Sequence, residues 1–218
     1  MKGDALRGQV LATKMIANVS IEMAVNLKLK PHQKSIGLIS VDSDDVAYTA
    51  LDEATKAAEV DVVYAKSMYA GAANANTKLA GDVIGIIAGR SPAEVRSGLN
   101  AAIEFIETGE AYFKSANDDD SIAYFAYCVS RTGSHLSETA GVKEGEAIAY
   151  LIAPPLESMF ALDAALKAAD VKLAAFFEPP SETNFGGALL TGSQSACKAA
   201  CDAFEEAVVA VADNPRNF

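Results

Sequence analysis

Two spacings of apolar residues alternate along this chain. Short apolar runs, "SIGLIS" (35–40), "VDVVYAK" (60–66) and "DVIGIIAG" (82–89), read as strands. Between the first two, Ala50, Leu51, Ala54, Ala57 and Ala58 fall on one helical face, and its small side chains predict close packing on a sheet. After the third run, Val95, Leu99, Ala102, Ile103 and Ile106 recur at helical spacing, with Ser91 and Pro92 supplying N-cap and first-turn chemistry.

The pattern is then written again. "ALDEATKAAEV" (50–60) returns as "ALDAALKAADV" (161–171), an offset of 111 with eight of eleven positions identical. At the same offset "SIGLIS" corresponds to "EAIAYL" (146–151). "VKLAAFF" (171–177) and "GALLTG" (187–192) repeat the later strands, and Ala196, Ala200, Phe204, Ala207, Val208 and Val211 repeat the last helix. Upstream, "NVS" (18–20) is echoed by "CVS" (128–130). Each half therefore reads as an apolar strand (11–19 and 121–129), a short helix, strand, helix, strand, loop, strand and helix. The expected fold is an α/β, α+β sandwich type in two tandem copies, residues 1–110 and 111–218, divided where "TGEAYFKSANDDD" (108–120) turns polar. The first copy is longer: Gly89 lies 29 positions after Val60 but Gly192 only 21 after Val171, and the extra eight fall in "SMYAGAANANTKLA" (67–80).

Composition narrows the function. Half of the 218 residues are hydrophobic, enough for a real core. A net charge of −11 repels a phosphate backbone, which argues against nucleic acid. The N-terminus has no apolar signal segment and no run is long enough to span a bilayer, so a soluble cytosolic protein without a membrane partner is expected. Cys128, Cys197 and Cys201 form no CxxC pair and read as reduced packing residues. His32 and His135 lack metal-ligand spacing, and GxGxxG, GxxxxGK[ST] and GxSxG are all missing, so neither an enzyme nor a metal site is expected.

The helix "ALDAALKAADV", with "SIGLISVDSDDVAY", "AGDVIGIIAG", "APPLES", "PPSETN" and "LTGSQSACKAAC", resembles bacterial microcompartment shell proteins, specifically the tandem shell proteins of ethanolamine utilisation, over nearly the whole chain. The resemblance implies two circularly permuted shell domains per chain, a homotrimer closing into a flat pseudohexameric tile, lateral contact with other shell proteins, and a place in a microcompartment within the cytoplasm. It implies traffic control across the shell and no catalysis. It puts Lys56 and Lys167 at tile edges, and places the long loop at the symmetry axis as a pore gate: Ser67, Met68, Tyr69, Ala70, Gly71, Asn74, Asn76 and Lys78. The Gly, Ala and Asn content of that loop permits conformational change, whereas the prolines of "EPPSETNF" (178–185) stiffen its counterpart.

Asp42, Asp44 and Asp45 open one repeated helix, and Pro154, Pro155 and Glu157 open the other. Helix N-termini favour negative charge, but capping uses only one or two carboxylates. The resemblance suggests that the surplus receives ethanolamine, a cation with a hydroxyl, with Asp44, Asp45, Phe113, Glu157, Glu182 and Thr183 as the candidate site. No cofactor is required, though cobalamin is a candidate for passage or binding. A cytosolic trimeric small-ligand sensor with a flexible signalling loop is the competing expectation.

Overall fold

The computed structural model describes residues 1–67, 82–179, 181 and 184–216. Its contacts divide the chain into two compact units, one of Arg7–Ala111 with Gly133–Leu136, the other of Met1–Leu6, Tyr112–Thr132 and Ser137–Phe218. The chain opens on a two-residue strand, β1 (Ala5–Leu6), which belongs to the second of these.

The N-terminal unit follows as β2 (Val10–Ile16), α1 (Ile21–Asn26), β3 (Ser35–Val41), α2 (Asp44–Ala57), β4 (Val60–Ser67), β5 (Val83–Gly89) and α3 (Pro92–Thr108). Its sheet has the order β2-β3-β5-β4 and is antiparallel throughout. Successive side chains of a strand point to opposite faces, and the sequence of β3 and β5 uses both. Ile36, Leu38, Ile84, Ile86 and Ala88 meet Ile16, Val19, Leu27, Leu29 and Val63 on one face. The other face carries α2 and α3, and here two glycines set the approach. A Cβ on Gly37 would lie 2.8 Å from both Leu99 and Val95 of α3, and one on Gly85 would lie 2.6 Å from Leu51 of α2. Small residues on helix and strand together thus bring both helices down onto the sheet.

The C-terminal unit contains β6 (Phe113–Ser115), β7 (Ala123–Val129), most of α4 (Ser134–Ala140), β8 (Ala147–Ala153), α5 (Pro155–Ala168), β9 (Val171–Phe177), β10 (Gly186–Gly192) and α6 (Gln194–Asp213). Its sheet order is β1-β6-β7-β8-β10-β9, the same four-strand arrangement extended by two short strands. One face packs on α5 and α6 through Leu151, Leu190, Leu162, Cys201, Phe204 and Val208. The opposite face carries an aromatic row, in which Phe113 lies 5.2 Å from Phe125, Phe125 5.3 Å from Tyr150, and Tyr150 6.4 Å from Phe177 between ring centroids.

The duplicated architecture is present as expected, with local departures. The first strand of the N-terminal copy ends at Ile16 and not at residue 19, because Asn18 and Val19 turn toward α1 and Ser20 caps it, its hydroxyl accepting from Met23 N at 3.3 Å. The strand expected over 121–129 begins at Ala123. The "NVS" and "CVS" echo is not a structural equivalence. Met15 pairs with Gly37, Gly37 plus 111 is Ile148, and Ile148 pairs with Val129, so Val129 matches Met15. The polar stretch 108–120 holds β6, which pairs with β1 and β7. In α3 Ile103 is only half-buried and Phe105 fills the core beside Ile106. Ser91 caps α3 as expected, and Glu94 completes a reciprocal capping box that the sequence reading did not include, the Ser91 hydroxyl accepting from Glu94 N at 3.3 Å. Among the described residues no helix is long and apolar enough to cross a membrane.

Candidate functional site

The two strands that flank residues 68–81 end against the start of α2. The register of β3 with β5 sets Val41 opposite Val83, and Asp82 N donates to Val41 O at 2.8 Å. Asp42, Asp44 and Asp82 are thereby gathered with Ser67. The Ser67 hydroxyl donates to Asp44 Oδ2 at 3.1 Å and shares a 2.5 Å hydrogen bond with the Tyr48 hydroxyl. Asp44 Oδ1 accepts from Asp45 N at 2.9 Å and Asp42 Oδ1 from Gln9 N at 2.5 Å. Burial pushes the Asp82 carboxyl above its ordinary range, and the neighbouring charges of Asp44 and Asp42 push it further. The result is a negative collar with two hydroxyls, chemistry suited to a small cation that also carries a hydrogen-bonding group.

This collar joins Asp44 and Ser67, which the sequence placed in separate roles, and adds Asp82 and Tyr48, which sequence reasoning missed. Asp82 had a signal, a carboxylate at the head of "DVIGIIAG" closing the long loop. Tyr48 had none beyond its helical position. Asp82→Asn gives a test of the charge crowding. An acid whose folded pKa is raised binds its proton more tightly when folded, so stability is lost as pH rises from the unfolded value through the folded one. The variant lacks that loss. Its advantage in melting temperature over wild type is expected to be absent below about pH 3.8 and to grow as pH rises through the elevated folded pKa; thermal unfolding of both proteins across pH checks this.

The other candidates are distributed as follows. Asp45 is 5% exposed on α2. Glu157 is half-buried in the first turn of α5. Phe113 contacts the rings of Phe125 and Phe185, so its ring is part of the aromatic row. Glu182 and Thr183, like the gate residues Met68, Tyr69, Ala70, Gly71, Asn74, Asn76 and Lys78, lie outside the described residues. Ser181 N donates to Phe185 O at 2.7 Å, and Asn184 adopts a left-handed φ of 67°, a conformation that asparagine tolerates better than most residues.

The matched lysines differ. Lys167 is 74% exposed and pairs with Asp163 at 2.6 Å, whereas Lys56 is 21% exposed, bonded to Glu53 and 3.5 Å from Asp52. Asp52 itself is fully buried, its carboxylate accepting from Gly133 N at 2.7 Å and Leu136 N at 2.8 Å, while Ser134 N donates to Thr55 Oγ1 at 3.1 Å. A carboxylate from α2 thus does for α4 the capping that Ser20 does for α1.

The three cysteines are free; Cys197 and Cys201 are buried, Cys128 half-buried, and burial raises all three thiols. His32 is exposed, and His135 lies with its ring 6.3 Å from that of Tyr48. Among the described residues no group of three His, Cys, Asp or Glu side chains is placed to hold a metal ion.

The BMC domain, the family model of the microcompartment shell domain, matches residues 35–116, which run from β3 through β6. The chain is 72% identical over 218 residues to the bacterial microcompartment shell protein EutL of Clostridium perfringens (strain 13 / Type A), with 100% of each chain covered. It is 56% identical over 212 residues to that of Escherichia coli (strain K12), covering 97% of this chain and 96% of the other. The crystal structure of ethanolamine utilization protein EutL from Leptotrichia buccalis C-1013-b matches with a TM-score of 0.97 at 70% identity, covering 100% of both chains. The chain belongs to the EutL family of bacterial microcompartment shell proteins. That places it in the shell of the ethanolamine-utilisation microcompartment, in a family that is structural and not enzymatic.

Proposed function

We propose that this chain forms a homotrimeric, pseudohexameric tile of the ethanolamine-utilisation shell, with a pore gated by the loop 67–80 and regulated by ethanolamine. The duplication carries the reading: two units with one strand order supply six similar wedges from three chains, while each copy is free to differ. The collar of Asp42, Asp44 and Asp82 supports a cationic ligand. Its hydroxyls, Ser67 and Tyr48, suit the alcohol end of ethanolamine, and the Ser67 to Asp44 bond ties that ligand chemistry to the first residue of the gate. Asp45, Phe113, Glu157, Glu182 and Thr183 complete the proposed ligand set. Lys56 and Lys167 are the proposed tile-edge contacts with other shell proteins, and cobalamin is the bulky cargo that a wide opening would serve.

The test is imaging of the assembled protein with and without ethanolamine, joined to calorimetric titration. Wild type is expected to tile laterally and bind ethanolamine, and Asp44→Asn to weaken that binding at least tenfold while leaving the tile intact. A non-tiling protein, or ethanolamine affinity unchanged in the variant, would contradict the reading.

A further inference from the structure

Where the last strand of each copy enters the last helix, the N-terminal copy closes its surface with its own charges. Asp61, near the start of β4, receives the Lys30 ammonium and the Gln33 side-chain amide, both at 2.6 Å, and Gln33 is 4% exposed. At the start of α3 the Glu94 carboxylate accepts from Arg90 N at 2.8 Å and Ser91 N at 3.3 Å. The two ends are neighbours, since a Cβ on Gly89 would lie 3.3 Å from Val60 and 3.4 Å from Glu94. One ammonium and one carboxylate are thus supplied from within the chain.

The C-terminal copy lacks both. Eight residues, 27–34, link α1 to β3, but six, 141–146, link α4 to β8, and the shorter link has no counterpart of the Lys30 to Gln33 turn. Asp61 plus 111 is Lys172, which pairs with Thr191 as Asp61 pairs with Ala88, so the charge at this position is reversed. Three residues beyond the N-cap, Glu94 of α3 is replaced by Ala196 of α6, and the first turn of α6 holds no acidic residue. The space left open is a cavity of about 560 Å³, lined by Gly145, Glu146, Asp170, Lys172, Ser193 and Gln194 among others. Glu146, Asp170 and Lys172 are exposed, and no hydrogen bond or ion pair engages their side chains among the described residues.

We propose that this cavity binds a small zwitterion, a molecule that brings the ammonium and the anionic group that the matched place in the other copy takes from its own chain. The anionic end, a carboxylate or a phosphate, meets Lys172 and the start of α6, where Glu94 stands in the other copy; both favour negative charge. The ammonium end meets Glu146 and Asp170, which accept hydrogen bonds and donate none. Charge balance selects for both ends at once. A lone anion is repelled by two carboxylates and a lone cation by Lys172, whereas a molecule with separated charges satisfies all three. The lining belongs wholly to the C-terminal unit, and the collar of Asp42, Asp44 and Asp82 to the N-terminal one, so this is a second site with its own ligand class.

The experiment is a ligand-observed NMR titration of the full chain with β-alanine and with phosphoethanolamine, using acetate and inorganic phosphate as controls that lack the ammonium. At least one zwitterion is expected to bind, with its control weaker by about tenfold or more; the tighter zwitterion identifies the anionic end as carboxylate or phosphate. Lys172→Ala, at an exposed position, is expected to weaken that binding by about tenfold or more. Ala196→Glu restores the carboxylate that α3 carries and completes a capping box with Ser193, so binding should be lost while the melting temperature is unchanged or raised, with circular dichroism to check the fold of both variants. Failure of both zwitterions to bind, a control that binds as tightly as its zwitterion, or an affinity unchanged in either folded variant overturns the proposal.

Discussion

Gly187→Ala is expected to be the most damaging glycine-to-alanine change among the described residues. Gly187 sits in β10, between β8 and β9, pairing with Ile152 on one side and Phe177 on the other. A Cβ there would lie 1.8 Å from Leu151 O and 2.8 Å from its carbonyl carbon. Backbone cannot yield as a flexible side chain can, and all seven residues of β8 are buried, so the strand has nowhere to retreat. Ordinary overpacking costs about 1–3 kcal/mol; forcing two central strands apart is expected to exceed the upper end. At roughly 2–4 °C per kcal/mol for a chain of this size, the melting temperature should fall by at least about 6–12 °C, with loss of soluble yield. Thermal and urea unfolding measure it, and a change below about 1 kcal/mol would mean that β8 and β10 are not registered as described.

Asp52→Ala is expected to cost about 3–5 kcal/mol, the range for removing one member of a buried, hydrogen-bonded charge arrangement. The carboxylate is fully buried and accepts from both Gly133 N and Leu136 N. Alanine strands both donors, each worth about 1–3 kcal/mol when left unpaired, and removes the carboxylate 3.5 Å from Lys56. Asp52→Asn keeps one acceptor oxygen and turns an amide donor toward the other N–H, so an intermediate loss is expected. Urea unfolding gives the magnitude, and amide exchange at Gly133 and Leu136 identifies the cause: both should exchange faster in the variants if the carboxylate is what protects them.

The repeat carried most of what could be read before the structure. Helical spacing placed Val95, Leu99, Ala102 and Ile106 in the core of α3, and the apolar runs located β3, β4, β5, β8, β9 and β10. Reading failed where a residue's setting is decided by distant chain. Asp52 and Asp163 stand in the same three letters, "ALD", yet one side chain is fully buried and the other 64% exposed, because Gly133 arrives from 81 positions away to cover only the first. The collar was hidden for the same reason. Asp44, Ser67 and Asp82 are far apart in sequence, and only the β3–β5 register brings them together. β1 was too short to leave a periodic signal, and β6 lay inside a stretch whose polarity argued for a linker.

The two caps also bear on how the copies can diverge. A Cβ on Gly133 would fall 2.3 Å from Thr55 Oγ1 and 2.6 Å from Asp52 O, so any larger residue there must displace Thr55 or the α2 backbone at Asp52. Ser20 carries its own cap and is bound by no such bargain. Descendants of one ancestral segment therefore inherit different freedom: in one copy Gly133, Asp52 and Thr55 constrain one another, while the matching site in the other rests on its own hydroxyl.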